Sequence, residues 1–405
     1  MSVTQPPALR IPITNSSANG DYTAQIAVGS AQTPANVILD TGSSTLAVVP
    51  TVYDPSSDAH VQATPLAQDV IYGTGGWTGP VLQTQVTMGS AGASATVDAY
   101  IAVTSDDQPG DFGQADGIMG LAFNALNSAY NLESYLQEQG AQQDVTYPWP
   151  FQVAGSRAAI EQFGTFLSRM PEEDLPPYFT ALGAAGVTRN IFAFYTRRSV
   201  PSATNEQLNS GFFILGGGPE QSDLYTGEFV DVKVVDDLWY NTNLLSVQVG
   251  QGNTVAVPQL SAKDAKTAIS NSIVDSGTNS LYLSAKVFDA LMSGFQALPG
   301  SFVETIQSAG QQGGVPNDSL NLEDWPNITF ALEGATVDSV PLTCSPSTYW
   351  QLDAPNAGVA QFMIFSSPMP QSILGLPLMN NYYTVFDRTQ NPYGAIRFAA
   401  IAAPS

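Results

Sequence analysis

The chain has 405 residues, 43% hydrophobic and 10% aromatic, which is ample for two lobes with cores of their own. Its 12 Lys and Arg stand against 35 Asp and Glu, and the formal net charge of −23 excludes nucleic acid and anionic membrane as partners. A single cysteine, Cys344, and a single histidine, His60, exclude an intramolecular disulfide, a Ser-His or Cys-His triad and a metal site built from histidines. We expect Cys344 to be a small buried apolar residue.

The acidic composition has two interpretations that remain open. Excess carboxylates can serve solubility alone, or they can reflect adaptation to acid, where protonation relieves their mutual repulsion. Only 12% of the residues are charged, which slightly favours the interpretation as adaptation to acid. No apolar run is long enough to span a membrane, and residues 1–7 lack the basic and apolar regions of a signal peptide.

Short apolar or alternating runs predict a chain built mainly of strands. In the first half, strands are expected at 9–13, 22–28, 37–39, 46–50, 81–88, 97–103 and 116–123. In the second half, they are expected at 191–195, 211–216, 227–235, 244–249, 254–257, 328–332, 361–365, 382–387 and 395–398. One short helix is expected at 132–139. Another should begin after Ser284, with its inner face formed by Val287, Phe288, Leu291, Met292 and Phe295.

The strand at 37–39 delivers Asp40 directly into a turn. A carboxylate at the end of a buried strand is costly unless something holds or shares its charge. The next residues, Thr41, Gly42 and Ser43, suit that task, because hydroxyls can bond a carboxylate and glycine lets other backbone approach closely. An Asp-Thr-Gly sequence by itself is a weak signal.

Residues 69–79 are a strand that breaks into four glycines within seven residues, which predicts a mobile hairpin. The hairpin carries two large aromatic side chains, Tyr72 and Trp77. Such side chains are unusual for a core on a glycine-rich hairpin, so one interpretation is a lid over a site. The other is a hairpin tip packed against a neighbouring segment.

Residues 141–189 differ in character from the strands around them. Proline-rich turns precede Ser156, a favourable N-cap. Apolar residues follow it at helical spacing, namely Ile160, Phe163, Leu167 and Met170. We expect an inserted, partly helical segment whose apolar stripe serves packing rather than a partner.

The acidic turn is repeated in the second half of the chain. Two apolar residues again precede Asp275, and Ser276, Gly277 and Thr278 follow it with the same alternation of hydroxyl and glycine. An apolar-apolar-Gly sequence follows each turn much later, ending at Gly120 and at Gly375. The same order twice indicates a duplicated unit with one acidic turn in each half.

Taken together, these motifs resemble those of the pepsin-like aspartic endopeptidases over nearly the whole chain. The resemblance lies in the two Asp turns, Tyr72-Gly-Thr-Gly, Asp116-Gly-Ile-Met-Gly-Leu-Ala, Ile373-Leu-Gly375 and Tyr382-Tyr-Thr-Val-Phe-Asp-Arg388. It implies an all-β fold of two pseudo-symmetric lobes with an active-site cleft between them. We place the N-terminal lobe at residues 1–195 and the C-terminal lobe at 196–405.

The resemblance also implies what the protein does. It implies hydrolysis of peptide bonds in extended polypeptides, favouring hydrophobic residues beside the cleaved bond at acidic pH, with no metal or organic cofactor. Asp40 and Asp275 would be the catalytic pair and share one proton, as paired carboxyl groups do in aspartic proteases. Pepstatin-type peptides would inhibit the enzyme, which we expect to be a monomer that binds neither membrane nor nucleic acid.

Roles for the surrounding residues follow from the same resemblance. Thr41 and Ser276 would tie the two Asp turns together, while Ser43 would bond beside the pair. Gly42 and Gly277 would let substrate backbone pass closely, and Thr278 would support Asp275. The hairpin at 69–79 would be a flap in which Tyr72, Gly73 and Thr74 cover the substrate. Phe112 and Ile118 would line the pocket for the residue before the cleaved bond.

One departure from pepsin concerns the flap. Pepsin has a Trp seven residues after its first catalytic Asp, and its indole bonds the flap Tyr; this chain has Ala47 there. It is similar to beta-secretase in having Ala at that place and Trp77 five residues after the flap Tyr. We therefore expect Trp77 to donate its indole N–H to Tyr72, with an open notch at Ala47.

A second departure is that the disulfides and basic propeptide usual in the family are missing, as in bacterial pepsin homologues. An extracellular or periplasmic location is favoured over a cytoplasmic one. The alternative function is a non-catalytic pepsin-fold binding or inhibitor protein. Such relatives generally lose one Asp or distort a motif, whereas both Asp turns and Tyr72 are intact here. A glycosidase with paired carboxylates fits less well, since its acid and nucleophile need not lie on twin glycine turns.

Overall fold

A computed structural model describes residues 6–13, 21–73, 75–90, 92–107, 112–141, 143–199, 211–390 and 392–402. Strands make up 40% of it and helices 19%, so the predicted all-β class is confirmed. The chain divides into two compact units, one of Met1–Leu9 and Thr23–Arg189 and the other of Arg10–Tyr22 and Asn190–Ser405. No helix within the described ranges combines the length and the apolar character needed to cross a bilayer.

The first half of the chain is built from short strands and three helices in its described part. The strands are β1 (Leu9–Pro12), β2 (Thr23–Val28), β3 (Thr33–Asp40), β4 (Leu46–Val48), β5 (Gln62–Ile71), β6 (Gly76–Ser90), β7 (Ala93–Val103), β8 (Asp106–Asp107), β9 (Gly117–Gly120), β10 (Ser128–Asn131) and β11 (Glu172–Asp174). The helices are α1 (Glu133–Glu138), α2 (Arg157–Leu167) and α3 (Tyr178–Ala184), and 3₁₀ turns cover Pro55–Ser57 and Asn124–Leu126.

The second half is also built mainly from short strands with a few helices. Its strands are β12 (Ile191–Thr196), β13 (Gly211–Leu215), β14 (Tyr225–Lys233), β15 (Asn241–Thr242), β16 (Leu244–Val249), β17 (Val255–Ala256), β18 (Ser272–Val274), β19 (Leu281–Ser284), β20 (Val315–Pro316), β21 (Ile328–Leu332), β22 (Val340–Cys344), β23 (Trp350–Leu352), β24 (Val359–Phe362), β25 (Ile364–Ser367), β26 (Ser372–Leu374), β27 (Tyr382–Asp387) and β28 (Ala395–Ile401). Its helices are α4 (Ala285–Gln296), α5 (Phe302–Gln312), α6 (Pro346–Tyr349) and α7 (Leu376–Met379), with 3₁₀ turns at Asp264–Lys266, Asn317–Ser319 and Leu322–Asp324.

Within the first unit, the strand that ends at Asp40 lies in the middle of a sheet. Five neighbouring strands run in the order β2-β3-β9-β4-β7. β3 is parallel to β9 and antiparallel to β2, while β4 is antiparallel to β9 and parallel to β7. The residues before Asp40 are continuously buried, from Val37 to Leu39, because a central strand with both faces covered needs apolar side chains on both.

The second unit contains a sheet with the same plan. Its strands run in the order β15-β18-β26-β19-β25. β18 is parallel to β26 and antiparallel to β15, while β19 is antiparallel to β26 and parallel to β25. β18 ends directly before Asp275, as β3 ends at Asp40. The duplication predicted from the two Asp turns is therefore confirmed in strand order and strand direction.

A six-stranded sheet of the second unit accounts for the position of the unit boundary. Its order is β1-β13-β12-β27-β28-β14, so a strand from the start of the chain joins strands from its end. β12 pairs with β13 on one side and β27 on the other, and Phe192 stacks on Phe386 with ring centroids 4.9 Å apart. The boundary consequently lies at Arg189/Asn190, whereas the sequence placed 191–195 in the first lobe.

Two helices of the first unit, α1 and α2, lie in the chain between the paired strands β10 and β11. β10 is antiparallel to β11 and also pairs with β5, and α1 and α2 lie between them in sequence. Strands β10 and β11 thus enclose α1 and α2 in sequence, while α3 follows β11 within the expected segment 141–189. Ser156 caps α2 through its Oγ, which accepts from the Ala159 amide, as predicted. Leu167 is buried in one cluster with Ala67 of β5, so the apolar stripe packs against the sheet.

Candidate active site

The carboxyl group of Asp40 is held by the two residues that follow Thr41. The Gly42 amide donates to Oδ1 at 2.7 Å, and the Ser43 hydroxyl donates to Oδ2 at 2.5 Å. Asp40 is only 6% exposed, and Thr41 is fully buried. Both hydrogen bonds stabilise the charged carboxylate and so offset part of the cost of its burial.

Asp275 is held in the same way. The Gly277 amide donates to Oδ1 at 2.9 Å, and the Thr278 hydroxyl donates to Oδ2 at 2.5 Å. Asp275 is also 6% exposed, and Ser276 is fully buried. Sequence reasoning assigned the two glycines to substrate passage; the structure adds that their amides bind the carboxylates. The two turns are thus chemically equivalent as well as similar in sequence.

Glycine is required where each Asp turn crosses the neighbouring strand. A Cβ added to Gly120 would lie 2.3 Å from the backbone of Ser44, and one added to Gly375 would lie 2.2 Å from the carbonyl oxygens of Thr278 and Ser280. Any side chain at these positions would push the turn away from its strand. The apolar-apolar-Gly sequences therefore exist because the turn backbones pass directly over the strand ends.

The predicted flap is a hairpin of β5 and β6 in which Val70 lies opposite Trp77 and Ile71 opposite Gly76. The Tyr72 amide donates to the Gly75 carbonyl at 2.8 Å and closes the turn. Gly73 is exposed, Tyr72 is half-buried, and Thr74 lies outside the described residues.

Trp77 links the flap turn to the core of the first unit. Its side chain is fully buried, and its Nε1–H donates to the Tyr72 hydroxyl at 3.2 Å. The predicted hydrogen bond is confirmed. The expected open notch at Ala47 is wrong, because Ala47 is fully buried in β4. The hairpin thus combines both interpretations, with one aromatic in the core and the other at the tip.

The two predicted pocket residues, Phe112 and Ile118, are both almost completely buried. Ile118 lies in β9 between Ile38 of β3 and Ala47 of β4 and is 6% exposed. Cross-strand neighbours share a face, and so do residues two apart on a strand, which places Ile118 on the same face of the sheet as Asp40. Phe112 is 4% exposed.

Sequence reasoning missed one contact of the flap. Arg157, the first residue of α2, donates from Nη1 to the Tyr72 carbonyl oxygen at 3.2 Å. The two residues are 85 positions apart, and no sequence signal connects them. Elsewhere, Cys344 is buried and unpaired, as predicted, and burial raises the pKa of its thiol to about 12. In the described part of the chain, no three His, Cys, Asp or Glu side chains are grouped so that they could hold a metal ion.

Comparisons with known proteins show which proteins the whole chain is similar to. The family model for eukaryotic aspartyl proteases matches residues 21–149 and 163–400. Pepsin-2B of Gadus morhua is 23% identical over 394 residues, which cover 93% of this chain and 96% of that protein. Pepsin A of Sus scrofa is 26% identical over 92% of this chain and 80% of its own length. A beta-secretase of Strongylocentrotus purpuratus is 21% identical over 93% of this chain and 66% of its own length.

The chain belongs to the eukaryotic aspartyl protease family, since the family model covers most of its length. It is therefore a pepsin-like, aspartic-type endopeptidase, a hydrolase that acts on peptide bonds.

Proposed function

We propose that Asp40 and Asp275 act together as the catalytic pair that activates water for peptide-bond hydrolysis. The observation that supports this is the equivalence of their turns, since each carboxylate accepts one glycine amide and one hydroxyl. Two carboxyl groups that exchange the roles of acid and base need matched surroundings, because each must hold a proton at one stage and release it at another.

In this mechanism the pair holds one proton, which is the known behaviour of aspartic proteases. The ionised carboxylate takes a proton from a water molecule, and the water oxygen attacks the scissile carbonyl carbon. The protonated carboxyl donates its proton toward the carbonyl oxygen. The roles then reverse: the leaving amine receives a proton, the C–N bond breaks, and no covalent intermediate with the enzyme forms.

The substrate is an extended polypeptide covered by the flap. Tyr72 is the only flap aromatic that is half-exposed within the described hairpin, so it is the side chain available to lie over the bound chain. Ile118 is an apolar residue on the face of the sheet that carries Asp40, and Phe112 is an apolar residue of the same unit, which favours a hydrophobic residue before the cleaved bond. Thr41 and Ser276, both fully buried, hold the Asp turns in place.

The test is cleavage of acid-denatured haemoglobin between pH 2 and 7, with and without pepstatin. The wild type is compared with Asp40→Asn, Asp275→Asn and a control, Asp338→Asn, which removes an exposed carboxylate of the second unit. We expect cleavage at acidic pH that pepstatin abolishes and that both active-site variants lose by about 10³-fold or more. Folded, inert wild-type protein at every pH would favour the binding-protein alternative.

A pair that shares one proton works only below the pH at which both carboxyls ionise, so we propose an acidic compartment or medium outside the cytoplasm. Fractionation of the source cells with an antibody to the protein tests this location. Recovery in the cytoplasmic fraction alone would contradict it.

A further inference from the structure

Helix α2 lies along the strand that leads to the flap. Leu167, its last residue, packs in one cluster with Ala67, and Gly164 contacts Asp69 two residues further along β5. Arg157 at its start reaches the carbonyl of Tyr72. Ten helical residues rise about 15 Å, and five strand residues about 16 Å. The helix therefore follows β5 with its N-terminus at the flap tip.

The N-terminal part of α2 lies outside the residues that the family model matches. The family model leaves residues 150–162 unmatched, and they include Arg157, Ile160 and Glu161. A cation in the first turn of a helix is also unfavourable, because the helix dipole is positive at that end. The helix dipole therefore does not explain the position of Arg157, whose side chain contacts Glu161 of the same helix and the flap.

Arg157 makes two contacts through its guanidinium group. Nη1 donates to the Tyr72 carbonyl at 3.2 Å, and Nε donates to Glu161 Oε1 at 3.0 Å. Glu161 lies one turn further along the helix, and the two side chains of this ion pair are 47% and 53% exposed. The contact with Tyr72 is to its main chain, while the Tyr72 hydroxyl is bonded by Trp77. The flap turn is therefore held on two sides.

Helix α2 makes a second contact with the flap hairpin, in which its Gly164 approaches Asp69. Asp69 lies opposite Thr78 in the hairpin. A Cβ added to Gly164 would lie 2.1 Å from Asp69 Oδ2, so only glycine lets the helix approach this carboxyl. Asp69 Oδ1 is buried without a hydrogen-bond partner. A neutral carboxyl tolerates this place much better than a charged one.

The charged and titratable groups that face Asp69 do not favour its ionisation. On α2, Glu161 is an anion, and Arg157 is engaged by Glu161 and the Tyr72 carbonyl. Tyr130 of β10 faces it as well, and burial, Glu172 of β11 and Asp69 itself raise the pKa of that tyrosine. Burial, with the charge of Glu161, raises the pKa of Asp69 to about 7.

We propose that α2 braces the flap of this protease: Arg157 is a positioning residue that acts through the main chain of Tyr72, and the buried carboxyl of Asp69 packs against Gly164 of the helix. This inference rests on the proposed role of the flap in covering substrate. Because the pKa of Asp69 is raised in the folded protein, its contribution is complete below its ordinary value of 3.8 and is lost as the pH rises towards 7. The brace is therefore strongest in acid.

Hydrogen–deuterium exchange of residues 69–79 tests the brace without using activity. We compare wild type, Arg157→Gln, the conservative Arg157→Lys and a matched control, Arg169→Gln, whose side chain is exposed just beyond α2. At pH 4, Arg157→Gln should exchange about tenfold faster in the flap only, Arg157→Lys should fall between it and wild type, and Arg169→Gln should match wild type. Unchanged flap exchange in Arg157→Gln would overturn the proposal.

The role of Asp69 is tested with Asp69→Asn, which keeps the shape of the neutral acid. Flap exchange should match wild type at pH 4, whereas at pH 7 the wild type should exchange faster than the variant. An equal ratio of the two rates at both pH values would show that Asp69 does not control the brace.

Kinetics with a quenched-fluorescent peptide connect the brace to catalysis. Arg157→Gln should lower kcat/KM by about tenfold, the equivalent of one charged hydrogen bond, mainly through a higher KM. Normal kinetics together with faster flap exchange would overturn the positioning role. The exchange measurements remain decisive even if the wild type cleaves nothing, so failure of the proposed catalytic pair can be told apart from failure of the brace.

Discussion

At the scale of single residues, the bond from Trp77 to Tyr72 is the feature most easily tested. The indole and the phenol form one hydrogen bond of 3.2 Å. Trp77→Phe and Tyr72→Phe each remove it, and each should lower kcat/KM by about three- to tenfold, the value of a net hydrogen bond of roughly 1 kcal/mol. Steady-state kinetics on a peptide substrate measure the loss.

The double variant Trp77→Phe/Tyr72→Phe provides the control for this bond. If the two groups act through each other, the double variant loses less than the product of the two single losses. Independent, multiplying losses would show that the bond itself contributes nothing. Thermal unfolding of the same variants separates any cavity left at the buried Trp77 from the effect on turnover.

Alanine substitution at two glycines of the second unit should change the free energy of unfolding in opposite directions. Gly375→Ala places a Cβ 2.2 Å from two carbonyl oxygens and should lower the free energy of unfolding by about 3 kcal/mol or more. Gly310→Ala meets nothing within 4 Å in helix α5 and should raise it by about 0.5–1 kcal/mol. Urea unfolding compares them, and a tolerated Gly375→Ala would contradict the close approach described above.

At the scale of elements, Asp58 joins three parts of the first unit. Its carboxylate accepts hydrogen bonds from the hydroxyls of Tyr53 and Thr84 and from the amides of Ser30 and His60. It thereby connects the turn after β2, the 3₁₀ turn at Pro55–Ser57 and strand β6. Burial alone would raise the pKa of Asp58, but these hydrogen bonds outweigh burial and hold it well below its ordinary value.

We expect Asp58→Ala to destabilise the protein by about 3 kcal/mol, because two buried hydroxyls lose their acceptor. Since the pKa of Asp58 is lowered on folding, its contribution is present above the ordinary value of 3.8 and disappears only as the pH falls through the lower folded value. The loss measured by thermal unfolding should therefore be similar at pH 4.5 and pH 7. A loss confined to neutral pH would be inconsistent with the network.

Helix α4 shows where element-level reasoning fell short. Val287, Leu291 and Phe295 are buried, as its periodicity predicted. Phe288 and Met292, assigned to the same inner face, instead line an open groove of about 940 Å³ beside α5 and β25. Periodicity identifies an apolar stripe, but the width of the neighbouring elements decides how much of the stripe they cover.

At the scale of the whole molecule, we expect the net charge of −23 to determine how stability depends on pH. The ionised carboxylates of an acidic chain lie closer together in the folded state than in the unfolded chain, so their mutual repulsion destabilises the folded state. Stability should then fall as the pH rises. We expect the melting temperature to drop between pH 5 and pH 8 at low ionic strength, and added NaCl to restore part of it at pH 8 by screening. A flat profile without a salt effect would contradict this.

The sequence by itself determined the class of fold, the two Asp turns, the flap and the Trp77–Tyr72 bond. The Asp turns depend on local patterns, namely buried strands that end at Asp with hydroxyls and glycines within three residues, whereas the flap and the bond from Trp77 to Tyr72 were expected from the resemblance to pepsin-like proteases and beta-secretase. The equal strand orders around Asp40 and Asp275 follow from the same repeated pattern.

Only the tertiary structure decided the remaining features. The unit boundary at Asn190, the covered Ala47 and the contact of Arg157 with Tyr72 all depend on segments that are distant in the chain. Asp69 carries no signal of its own, since its surroundings come from α2 and β10. Hydrogen bonding and packing within a turn are specified by neighbouring residues, whereas burial and long-range contacts arise only when separate elements meet.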